Sequence, residues 1–115
     1  MFRDDFLMRQ IQQFAEAIAH SVGIAQAGNA EEATNELQGA YEEFLRTRGL
    51  RLEFTDSLEA RTLLSVLGGE DHGETVAMFE EALAEVRQLA GHDDAASRHA
   101  ARAKALRGLL SPNGD

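Results

Sequence analysis

Apolar residues recur at steps of three and four along most of this chain, the period of amphipathic helices, and glycines punctuate the pattern. Leu7, Ile11, Phe14, Ala15, Ile18 and Val22 form the first stripe and predict a helix over about 4–27, with Phe2 and Phe6 extending its face backwards. Asp4 and Asp5 suit its start, where carboxylates meet free backbone N–H groups. Gly28 is the expected stop, and Gly23 a weak point before it. Asn29 reads as the N-cap of a second helix over about 29–48, with Glu31 and Glu32 in its first turn. Ala33, Leu37, Ala40, Tyr41 and Phe44 make its stripe, and Gly49 ends it.

Leu50, Leu52 and Phe54 then alternate with Arg51 and Glu53. One isolated strand has no ladder to join, so this stretch reads as a linker pressing its apolar residues onto the helices. Asp56 or Ser57 caps a third helix over about 57–67, carrying Leu58, Leu63, Leu64 and Leu67; Gly68 and Gly69 end it, and residues 70–73 read as a loop. The fourth helix, about 74–90, aligns Val76, Phe79, Ala82, Leu83, Val86 and Leu89. The fifth, about 93–110, aligns Ala96, Ala100, Ala103, Leu106 and Leu110, and the tail beyond it holds the only proline. The pattern predicts an all-α fold of about five helices in antiparallel hairpins, and the 115 residues suit a single domain over 1–115.

Two junctions share a spacing. Gly28-Asn29 is followed by Ala33, Leu37 and Ala40, and Gly91-His92 by Ala96, Ala100 and Ala103. This resembles the turn and second helix of a tetratricopeptide repeat, in which glycine permits a tight turn and small residues let two helices approach. Leu83-Ala84 fits the first-helix pair of that repeat. The resemblance implies a degenerate, tetratricopeptide-like bundle with an inserted third helix. Separately, the opening run from Met1 to Ile11 resembles that of a family of small uncharacterised bacterial helical proteins, which implies a helical fold and brings no activity with it.

Charge narrows the partners. The net charge of -9 argues against nucleic acid. It is uneven: 7 basic and 19 acidic side chains lie up to Asp94, against 4 and 1 beyond it. The last helix, with Arg98, Arg102 and Arg107, is therefore a basic element on an acidic body, able to pack on its own acidic neighbours or on an acidic partner. Cysteine is absent, which removes disulfides, thiolate nucleophiles and cysteine-held zinc. The charged N-terminus does not resemble a secretory signal, and no apolar run approaches the roughly 20 residues that span a bilayer. A cytoplasmic protein without membrane contact is the expectation.

Catalytic sets are thin. His72 with His92-Asp93 resembles the histidine and aspartate pattern of helical metal-dependent phosphohydrolases, in which imidazoles and carboxylates hold a metal that activates water. Glu53 and Asp56 have the spacing of one carboxylate pair in all-α pyrophosphohydrolases, but fall in the expected linker. The neighbours Glu31-Glu32, Glu42-Glu43 and Glu80-Glu81 diverge by about 100° around a helix and read as solvated faces. His92 with His99, and Arg98 with Arg102, read as surface pairs; His20 lies off the main stripe. No serine elbow or phosphate loop is present.

The reading that follows is a noncatalytic helical protein–protein interaction module that self-associates, as a homodimer, needs no cofactor or metal, and uses Phe2, Met8, Arg98, Arg102 and Arg107 as its surface. The alternative is a small metal-dependent phosphohydrolase using His72, His92 and Asp93, or Glu53 and Asp56. A third is a small-ligand binder in the helical core, with Tyr41 and the histidines as its only polar handles.

Overall fold

A computed structural model describes the backbone of residues 2–110 and the side chains of residues 9–110. Every regular element among these residues is a helix: α1 (Phe2–Gln26), α2 (Ala30–Arg46), α3 (Leu52–Asp56), α4 (Ala60–Leu67), α5 (Glu70–Leu89) and α6 (Asp93–Leu110). None is long and apolar enough to cross a membrane.

The glycine-led junctions make the hairpins. Gly28 has φ +102° and Gly91 φ +84°, a region that side chains with a Cβ rarely adopt. Just past each, a backbone N–H reaches back five residues: Asn29 donates to the Ile24 carbonyl at 3.1 Å and His92 to that of Arg87 at 2.8 Å. The turns are short enough to fold α2 back along α1 and α6 along α5. Asn29 stands at the N-cap position, yet its side chain makes no capping bond; its backbone carbonyl accepts from Ala33 instead.

Helix α5 is the hub, packed against α1, α2, α4 and α6. Val76, Phe79, Leu83 and Val86 bury its inner stripe against Leu37, Tyr41, Phe44 and Leu45 of α2. Phe14 of α1 meets Phe44 and Phe79 edge-on at 5.3 and 5.6 Å, while Tyr41 stacks on Phe79 at 4.9 Å. Phe14 is partly buried, whereas Tyr41, Phe44 and Phe79 are fully so, and each of these three contributes about 1.5–3 kcal/mol over its exposed state.

Several local expectations need correction. The expected linker after Gly49 contains α3, a short helix whose Leu52 packs on the core while Phe54 stays 51% exposed. Six helices therefore replace the five. Ser57 closes α3 rather than opening α4, because its hydroxyl donates back to the Phe54 carbonyl at 2.6 Å; α4 begins only at Ala60. The expected loop at 70–73 is the first turn of α5: Glu70 and Asp71 favour a helix start, and Gly73 is buried where a Cβ would stand 2.5 Å from Leu64 and 3.1 Å from Leu110. Leu89, assigned to a buried stripe, is 52% exposed in the last turn of α5. In α6 the inward register runs Ala96, His99, Ala103, Leu106, so Ala100 is exposed and His99 turns inward in its place.

Candidate functional site

The inward register of α6 and the hub position of α5 bring a carboxylate, an imidazole, a phenol and a guanidinium together. Glu80 of α5 is completely buried, the only acidic side chain so placed among the described residues. Removing a carboxylate from water costs several kcal/mol unless its oxygens are bonded. Here Oε2 accepts from the Tyr41 hydroxyl at 2.8 Å and Oε1 accepts from His99 Nδ1 at 2.6 Å. The Nε of Arg102 lies 3.7 Å from Oε2, close enough for charge attraction, and has no hydrogen-bond partner. Burial, and then the charge and bond of Glu80, hold the Tyr41 phenol well above its ordinary pKa.

Arg102 does a second thing. Its terminal nitrogens donate to the main-chain carbonyls of Thr55 and Asp56, so α6 seats the C-terminal end of α3. A cation suits that end, where unpaired carbonyls leave partial negative charge.

Next to this network lies an open cleft of about 350 Å³ among α2, α3, α5 and α6. Leu52, Leu83 and Ala95 give it apolar walls, and Glu80, His99 and Arg102 form its inner side. Arg87 and Arg98 complete the lining with Gln38, Tyr41 and Asp56. Arg87 donates to Gln38 Oε1 at 3.0 Å and lies 3.4 Å from His92 Nδ1, and its buried Nε has no partner. Among the described residues neither Arg87 nor Arg98 is paired with a carboxylate. In a chain with 20 acidic and 11 basic side chains, two arginines in a cleft without such a partner mark it as the place where an anion would be welcomed.

The other candidates scatter. His72 and His92 lie at opposite ends of α5, roughly 30 Å apart for a helix rise of about 1.5 Å per residue. His72 Nδ1 is bonded to the Leu67 carbonyl and its ring packs on Phe44; His92 Nε2 lies 3.2 Å from Glu31; Asp93 opens α6. The phosphohydrolase set is not assembled, and among the described residues no three histidine or acidic side chains gather as metal ligands. Glu53 and Asp56 share α3, but only Asp56 reaches the cleft. His20 is exposed, 3.7 Å from Glu36.

The proposed surface residues divide. Arg107 is paired with Glu74 and Glu81 of its own chain, and the bond to Glu81 raises its pKa. Arg102 is half-buried and engaged by Glu80 and the α3 carbonyls, so of the three α6 arginines only Arg98 is left to a partner. Phe2 and Met8 belong to α1 but lie outside the residues whose side chains are described.

Sequence reading treated Glu80 as part of a solvated face and His99 as a surface residue. The signal that finds them is register: Glu80 follows Val76 by four and precedes Leu83 by three, and His99 follows Ala96 by three and precedes Ala103 by four. No protein-family model, curated protein or solved structure matches this chain.

Proposed function

We propose that this chain is a noncatalytic helical binding module whose working site is the cleft among α2, α3, α5 and α6. One observation carries the reading: the acid–base groups of the cleft are bonded to each other. His99 and Tyr41 occupy the two oxygens of Glu80, whereas a general acid or base needs its proton site within reach of a substrate. Arg98 faces the open space, and the planar fork of a guanidinium binds anions well.

The glycine-led turns and the buried Ala33 and Ala96 support tetratricopeptide-like packing of the two hairpins as the frame of this module. A preformed cleft on such a frame suits recognition of a partner. Self-association belongs to the same proposal, and light scattering coupled to gel filtration reads it directly.

The test of the site is a thermal-shift screen of small molecules and peptides against the protein and its Ala95→Trp variant, whose indole fills the cleft from α6. Ligands of the cleft raise the melting temperature of the parent and not of the variant, since binding to the folded state stabilises by mass action. Hits that stabilise both alike would remove the cleft from the proposal. Manganese-dependent phosphoester hydrolysis that disappears in His92→Ala would restore the hydrolase.

A further inference from the structure

We infer that the ligand of this cleft is a small organic acid: one carboxylate, taken by Arg98 with help from Arg87, on an apolar body seated against Leu52, Leu83 and Ala95. The inference rests on the cleft being the working site.

Charge selects the head group. The carboxylate of Glu80 is already compensated by His99, Tyr41 and Arg102. Arg102 in turn is occupied by Glu80 and by the carbonyls of α3. The positive charge left over belongs to Arg98 and Arg87. A planar guanidinium matches a carboxylate in shape and can donate two parallel bonds to it. Asp56 stands in the same lining, so an anion with several charges is repelled more strongly than a monocarboxylate.

Size and walls select the body. At about 350 Å³ the cleft sits at the low end of small-molecule pockets, which run from about 300 to 1,000 Å³. From α5 it takes residues 80–87 and from α6 residues 95–102, about two turns of each, or roughly 11 Å along the helices. That length fits an acid of a few carbons and is short for an extended peptide. The apolar walls supply the hydrophobic part of the affinity.

Tyr41 lines the cleft, and with one tyrosine and no tryptophan in the chain its emission reports occupancy without a label. Hexanoate is the probe, with hexanamide as its uncharged counterpart and an amidated glutamate-rich peptide as a protein-like competitor. Hexanoate should change Tyr41 emission saturably, and hexanamide should bind at least about tenfold more weakly, since a charge-assisted bond contributes about 1.5–3 kcal/mol. Arg98→Gln should weaken hexanoate to a similar degree with an unchanged melting temperature, and Arg98→Lys should recover part of the loss.

Equal binding of hexanoate and hexanamide would overturn the acid while leaving the cleft as a site. So would absence of hexanoate binding when other screen hits are blocked by Ala95→Trp. Tighter binding of the peptide than of hexanoate would make the occupant a protein segment. A hexanoate-induced rise in melting temperature as large in Ala95→Trp as in the parent would overturn the inference and the proposed site together.

Discussion

The Tyr41 hydroxyl donates to Glu80 Oε2 across 2.8 Å, joining two residues 39 positions apart in the chain. The bond ties α2 to α5, and His99 brings α6 to the same carboxylate. Deleting the carboxylate strands a phenol, an imidazole and a guanidinium in a poorly hydrated place. Glu80→Ala should therefore cost about 3–5 kcal/mol, as does breaking a buried ion pair by removing one partner. Tyr41→Phe removes one bond to a charged acceptor and should cost about 1.5–3 kcal/mol. Urea unfolding midpoints measure both; a Glu80→Ala loss below that of Tyr41→Phe would mean that the carboxylate does not organise the network.

The same bond sets a pH dependence. Burial and Glu80 raise the phenol pKa in the folded state, so folding favours the protonated form. The resulting stability is present in full below the unfolded value of about 10 and is lost as pH rises above it toward the folded value. The difference in unfolding free energy between the protein and Tyr41→Phe should stay constant up to about pH 10 and shrink beyond it. Tyrosinate absorbance gives a direct check, because Tyr41 is the only tyrosine. Titration at the same pH in native and urea-unfolded protein would contradict the expectation.

The all-helical architecture was legible because it depends on two signals carried by single residues, the three-to-four apolar step and the glycine stop. Gly28, Gly49, Gly68 and Gly91 all take positive φ at helix ends, where the pattern put stops. The site was harder to read. A glutamate beside Glu81 looks solvated by residue type, and only its register relative to Val76 and Leu83 turns it inward. His99 is hidden in the same way by a run of alanines that permits more than one inward stripe. Helix α3 is too short for periodicity to register, and tertiary contacts from Arg102 help to hold it.

The choice between alanine stripes can be tested by enlarging two alanines. Ala33 is wholly buried beyond Gly28, whereas Ala100 is exposed on α6. Ala33→Leu should cost about 1–3 kcal/mol through overpacking. Ala100→Leu should change stability by no more than about 0.5 kcal/mol. Thermal melts of the two variants decide it: comparable losses would mean that Ala100 also faces a packed surface, as the repeat-like spacing predicts.

Arg102 connects the buried network to the wall of the cleft, and Arg102→Met separates its packing from its charge. The methionine keeps an apolar stem of similar reach and removes the bonds to Thr55 and Asp56. A helix of five residues has little stability of its own, so α3 should open more often. The Thr55 amide, which donates to the Arg51 carbonyl at 3.0 Å, should then exchange about ten to a hundred times faster, matching the loss of about 1.5–3 kcal/mol of charge-assisted bonding. Glu80 keeps Tyr41 and His99, so the global loss should be smaller than in Glu80→Ala, and the Leu37 amide in the core should be less affected than that of Thr55. Unchanged exchange at Thr55 would mean that Leu52, packed against the core, seats α3 by itself, and the cleft would then keep its shape without Arg102.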